Sequence, residues 1–120
     1  MARILAVDDS RSMRQMVAFT LSSAGHEIAE AEDGQQALTL AQSGAFDLVL
    51  ADVNMPVMDG ISLVRKLREL LSYRFTPVLM PTTEAGDDKK SEGRSAGATG
   101  WIVKPFNPEQ LLSTISRVLS

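Results

Sequence analysis

Phe46-Asp47-Leu48-Val49-Leu50-Ala51-Asp52-Val53-Asn54-Met55-Pro56-Val57-Met58-Asp59-Gly60 is the stretch on which the fold turns. It opens as a short, almost wholly apolar run and ends on a lone carboxylate, Asp52. A run this dense suits a strand covered on both faces, as in a parallel sheet. Pro56 and Gly60 then mark a turn, and a helical pattern follows, with Asp59 placed to cap it. Ligands of open α/β sheets gather beyond the carboxyl ends of the strands. Asp52 therefore reads as a reactive group at the mouth of a sheet.

The same pattern extends in both directions. Upstream, Ile4 to Val7 reads as a buried strand ending on Asp8 and Asp9. Ser10 can cap a helix whose apolar face is Met13, Met16, Val17, Leu21 and Ala24. His26 to Ala31 is a second, less hydrophobic strand that suits an outer position. Ala37, Leu38 and Ala41 line a short helix closed near Gly44. Downstream, the helix from about Gly60 to Leu71 has Ile61, Val64, Leu67 and Leu71 as its core stripe, with Arg65, Lys66, Arg68 and Glu69 facing water. A fourth strand covers Val78 to about Thr82, and a fifth runs Gly100 to Val103 and ends on Lys104. Asn107, Pro108 and Gln110 are strong start signals for a last helix, whose apolar face is Leu111, Leu112, Ile115, Val118 and Leu119. Strand and helix alternate five times, which predicts a doubly wound α/β domain spanning residues 1–120. The weak point is 86–97, where parallel strands need a crossover. That segment holds three glycines and no large apolar residue, so a short, weakly anchored helix is expected.

Composition sets bounds. The chain has 120 residues, 44% hydrophobic and 22% charged, with a formal net charge of −3. No basic stripe points to nucleic acid. There is no cysteine, hence no disulfide, thiol nucleophile or cysteine metal site. No apolar run reaches the roughly 18 residues of a membrane span. Ile4 to Val7 is too short, and too soon followed by acids, for a signal peptide. These features predict a cytoplasmic protein. The lone His26 reads as an ordinary surface or partly buried histidine.

Three strand ends carry Asp8 and Asp9, Asp52, and Lys104, and in a parallel sheet these ends share one edge. Thr82 and Thr83 join them from the fourth strand. Gathered carboxylates disfavour one another's ionisation, and a divalent cation removes that cost. Hard oxygen donors suit magnesium. Magnesium, an aspartate, a lysine and a hydroxyl compose a phosphoryl-transfer site, in which the aspartate can act as nucleophile. The plain alternative is that each acid caps a helix or solubilises a loop, and the coincidence of strand ends argues against it. At this level a phosphatase or a nucleotide-binding domain fits almost as well, although no GxxxxGK[ST] or GxGxxG loop is present.

With these residues in hand, the chain resembles the bacterial response-regulator receiver domains, and most of all the single-domain chemotaxis regulators. The matching pieces are Asp8-Asp9, Asp52 to Gly60, Thr82-Thr83-Glu84 and Lys104-Pro105-Phe106. The resemblance implies a flavodoxin-like (βα)5 fold with sheet order 2-1-3-4-5, the order for which chemotaxis regulators are a standing example. It implies that Asp52 accepts a phosphoryl group from a histidine kinase. Magnesium would be held by Asp9, Asp52 and the Asn54 carbonyl, with Asp8 acting through water. Lys104 would pair with the phosphate, Thr82 would swing in to bond it, and Trp101 would be the switch aromatic. The Lys104-Pro105 bond would be cis. Self-phosphorylation and autodephosphorylation are expected, without conventional turnover.

Output would come through binding, in a chain that stops after the last helix and is expected to be monomeric. The chemotaxis kinase and the flagellar motor switch would be its partners, and no nucleic acid or membrane is implied. A relay intermediate or phosphate sink is the alternative, and a magnesium-dependent small-molecule phosphatase is the alternative of another class. Two departures stand out. Pro81 places a rigid residue before Thr82, where it either perturbs the switch or sits where the ladder has already opened. The polar segment 86–97 can add little beyond Ala96 to the core, so it is either a plain solvated connection or a helix that stays mobile until phosphorylation or a partner orders it.

Overall fold

The computed structural model describes the chain except residues 1, 54, 83–91, 93, 105 and 120, and the side chain of Thr82. Five strands form one parallel sheet in the order β2-β1-β3-β4-β5, as expected. They are β1 (Arg3–Val7), β2 (Glu27–Ala31), β3 (Leu48–Ala51), β4 (Val78–Thr82) and β5 (Gly100–Val103). The helices are α1 (Arg11–Ser23), α2 (Gly34–Ser43), α3 (Gly60–Glu69) and α4 (Pro108–Leu119), with a 3-10 turn at Leu71–Tyr73. The strands alternate between two cores. Ile4, Ala6, Leu48, Leu50, Leu79 and Ile102 meet Val17 and Leu21 of α1 and Leu111 and Ile115 of α4. Leu5, Val7, Val49, Ala51, Val78 and Met80 face α2 and α3. Period-two alternation on a sheet covered on both sides requires this division.

The three caps the sequence predicts are present, and α2 adds one it did not, Asp33 accepting from the Gln36 N–H. Ser10 accepts from the Met13 N–H and Asp59 from the Ser62 N–H. Asn107 and Gln110 exchange hydrogen bonds of 2.8 and 2.9 Å in a reciprocal capping box. The inner and outer faces differ from expectation in several places. Ala24, which caps the end of α1, is exposed, while Arg14 and Thr20 within the helix are buried. Leu63 joins the α3 core, whereas Leu71 is 81% exposed because the helix stops at Glu69 and rewinds as a 3-10 turn.

Arg68 does not simply face water. Its Nη1 donates to the Tyr73 and Thr76 carbonyls at 2.7 and 2.6 Å, and its Nε and Nη2 donate to the Gly97 carbonyl at 3.1 and 2.8 Å. Burial lowers its pKa from the free value. Gly97 lies against the Arg68 stem with φ +112°, and an added Cβ would stand 2.9 Å from Arg68 Cγ. The described end of the crossover segment is thus fastened by hydrogen bonds as well as by the buried Ala96. Residues 86–91 and 93, on which the expectation of mobility rests, lie outside the described residues.

Pro81 coincides with the end of pairing between β3 and β4. Val78 turns toward β5, exchanging hydrogen bonds with Thr99 at 2.8 and 2.9 Å. Alternation then turns Pro81 toward β3, where pairing already ends at Leu50 and Leu79. The ladder with β5 continues through Pro81↔Ile102 to Thr82↔Val103.

Candidate functional site

Register builds the site. β1 and β3 pair with Val7 opposite Ala51, so the next residues, Asp8 and Asp52, leave the sheet side by side. The Asp52 N–H donates to the Val7 carbonyl at 3.0 Å, and the Asp8 N–H to the Ala31 carbonyl at 3.1 Å. Lys104 follows β5 and reaches across β4. Its Nζ lies 3.3 Å from Asp52 Oδ2 and 3.4 Å from Asp8 Oδ2. One carboxylate oxygen from each of Asp8, Asp9 and Asp52 falls within 4.8 Å of the others. Asp8 and Asp52 are buried, whereas Asp9 is exposed at the rim.

The loop after β3 is folded tightly against this pocket. The Gly60 N–H donates to the Val53 carbonyl at 2.9 Å, and a side chain at Gly60 would run into the Asp52 carbonyl and the Met80 methyl. Met58 N–H closes a three-residue turn on the Pro56 carbonyl at 2.7 Å, with Val57 at φ +69°. The Met58 carbonyl accepts from Gly34 N–H at the start of α2. The sequence marked Pro56 and Gly60 as punctuation, but no pattern signalled a positive φ at a valine.

Burial raises the Asp52 pKa, and Asp8 adds to the rise, while Lys104 and the Val53 N–H pull it down. The carboxylate is thus an anion its surroundings only partly welcome, which is the condition a bound cation relieves. The donor set fits magnesium. All three are hard oxygens, and oxygens around one octahedral magnesium lie about 3 to 4 Å apart, so the carboxylates need to close only slightly. Asn54 lies outside the described residues, as do the Thr82 side chain, Thr83 and Pro105. The Thr82 main chain is at the end of β4 beside Val103. Trp101 is half-buried, packed at the edge of the α2–α3 core. His26 is far from the acids in the fold, at the start of β2, and its Nδ1 accepts from the Ala2 N–H at 3.1 Å. The residue that sequence reasoning missed is Arg14, whose Nη1 donates to the Asp8 carbonyl at 2.6 Å. An arginine one residue after Met13 on a helix that ends up buried was the available signal.

A family model described as the response regulator receiver domain matches residues 4–116. The chain belongs to this family. It is 41% identical over 117 residues to the chemotaxis protein CheY of Pseudomonas aeruginosa, covering 97% of this chain and 94% of that one. The solved structure of the chemotaxis response regulator CheY4 of Vibrio cholerae is 57% identical, with a TM-score of 0.96 and 99% of each chain covered. The transcriptional regulatory protein SrrA of Staphylococcus aureus is 36% identical over 97% of this chain, which spans 47% of that protein. The receiver fold and its acidic cluster are those of a phosphoaccepting regulator in two-component signalling. The family's chemistry is receiver-type self-phosphorylation and dephosphorylation, and the acidic cluster is consistent with it. Membership puts a kinase among its partners. Among the described residues no helix is long and apolar enough to cross a membrane.

Proposed function

We propose that Asp52 is the phosphoryl acceptor of a chemotaxis-type regulator whose donor is a histidine kinase. The observation that carries this reading is the convergence of Asp8, Asp52 and Lys104 from three strand ends, with the lysine within 3.4 Å of both buried carboxylates. An Asp52 carboxylate oxygen attacks phosphorus, and the P–N bond of the donor phosphohistidine breaks. Its electron pair leaves on the imidazole, which takes up a proton. Magnesium, held by Asp9, Asp52 and the Asn54 carbonyl with Asp8 acting through water, would neutralise the charge on the phosphoryl oxygens. Lys104 gives up its carboxylate contacts for a phosphoryl oxygen, and the Thr82 hydroxyl bonds another. Trp101 repacks as Thr82 moves, and signals through partner binding on the face that β5 shares with α4.

The chemotaxis assignment draws on the names of the Pseudomonas and Vibrio relatives, and the flagellar motor switch is the output partner this reading expects. A monomeric, cytoplasmic protein belongs to the same reading. A relay or sink role is the second reading, favoured by the fact that phosphoryl transfer to and from Asp52 needs no motor contact.

Intact-protein mass spectrometry after incubation with a small phosphodonor tests the chemistry. One added phosphoryl group is expected, absent without magnesium and absent in Asp52→Asn. An adduct that persists in Asp52→Asn would sink the assignment. Titrating the phosphorylated and unphosphorylated protein against a motor-switch peptide separates the two outputs, because the relay reading expects no difference.

A further inference from the structure

Arg14 is a buried cation that the chemistry above does not use. It sits one turn into α1 and is 8% exposed. Each edge of its guanidinium is occupied. Nη1 donates to the Asp8 main-chain oxygen at 2.6 Å, Nε lies 3.5 Å from Glu30 Oε1, and Nη2 lies 3.7 Å from Glu32 Oε1. The two glutamates, on and just after β2, offset a charge that would otherwise be costly to bury. They leave the shortest contact to a backbone oxygen.

That oxygen belongs to the peptide joining Asp8 to Asp9. A peptide group is planar and rigid, so holding its carbonyl fixes the nitrogen and Cα of Asp9 as well. Asp8 is already determined by other contacts: its N–H is on Ala31, its Oδ1 accepts from Ser10 N–H at 2.9 Å, and its Oδ2 is on Lys104. Asp9 is different. It is exposed, and its carboxylate has no hydrogen bond among the described residues. Its direction is inherited from the peptide before it.

We propose that Arg14 is a positioning residue for the cation site, holding the Asp8–Asp9 peptide so that Asp9 is aimed at the mouth it shares with Asp8 and Asp52. The inference rests on reading these three acids as a magnesium site. It makes a prediction opposite to simple electrostatics. A positive charge near a cation site repels the cation, so removing it should tighten binding. If Arg14 acts by geometry, removing it should weaken binding, and a lysine, which keeps the charge but lacks the planar fork, should not rescue it.

The test is the magnesium dissociation constant of wild type, Arg14→Lys and Arg14→Met by isothermal titration calorimetry, with metal-free thermal unfolding alongside. A rise of about ten-fold in both variants is expected, the lower end of what losing an outer partner of a metal ligand does. An unchanged constant in Arg14→Lys with a tightened one in Arg14→Met would overturn the proposal in favour of charge alone. A lowered unfolding midpoint with unmoved constants would overturn it in favour of a merely structural arginine. If Arg14→Met does not fold, Arg14→Lys decides between the same outcomes. Wild-type protein that binds no magnesium would overturn the metal reading itself, a result distinct from wild type and variants binding alike.

Discussion

Val57 is a β-branched residue held at φ +69°, with 82% of its surface exposed. Packing does not hold it there. The turn does, through the Met58 N–H on Pro56 and the Met58 carbonyl on Gly34. Such a conformation costs a non-glycine residue about 1–3 kcal/mol. Glycine returns roughly 1 kcal/mol of that through the unfolded chain's extra freedom. Val57→Gly is therefore expected to stabilise the protein by about 1 kcal/mol, measured by urea denaturation; lower stability would mean that the turn holds valine without strain. Asp52 carries a second cost, of electrostatic origin. Its folded pKa lies above the unfolded value because of burial and Asp8. A raised carboxylate favours the folded state below the unfolded pKa, near 3.8, and that advantage is lost as pH rises through the folded pKa. Above that range Asp52 is a burden on the fold. In metal-free buffer, Asp52→Asn is expected to melt higher than wild type at pH 7, with the difference shrinking toward pH 4. A difference that grows on acidification would contradict this.

Among the secondary-structure elements, α3 and the turn after it depart furthest from expectation. The start of α3 was legible, because Asp59 and Gly60 are a cap and a close-packing glycine with few alternatives. Its end was not. Leu71 continues the helical spacing of Ile61, Val64 and Leu67, but the chain turns before reaching it, and nothing in a periodicity argument reveals where an arginine will find carbonyls. Arg68 binds those of Tyr73, Thr76 and Gly97, and this holds the 73–76 loop so that Phe75 stands 89% exposed at its apex. Among the described residues no carboxylate pairs with Arg68, and the partners that face its charge there are carbonyl dipoles. Arg68→Met keeps the stem but removes these bonds, and a loss of about 2–3 kcal/mol in denaturant unfolding is expected. Arg68→Lys should recover only part of it, since an ammonium cannot span three acceptors in one plane. A change within a few tenths would mean that water replaces the guanidinium at no cost. The sheet and caps were readable because alternation and capping are local. Arg14 and Arg68 were not, because an inward-turned arginine is defined by acceptors that tertiary folding brings to it.

Across the whole sheet, strand order separates the site in time as well as in space. The first three strands in sequence form the contiguous block β2-β1-β3, and β4 and β5 are added to one side of it. Asp8, Asp9 and Asp52 all belong to that first block, whereas Lys104 arrives with the last strand. A chain emerging from the ribosome would therefore have made its three like charges before the lysine that contacts two of them. In the test tube, where the whole chain is present from the start, early gathering of the acids should appear as a refolding rate that responds to solvent cations. With Trp101 on β5 as the fluorescent reporter, millimolar magnesium is expected to speed refolding of the wild type, and Asp52→Asn should lose most of that response. If magnesium instead acts only by slowing unfolding, the acidic pocket closes after the rate-limiting step. The pocket that serves signalling would then have no part in assembling the sheet that carries it.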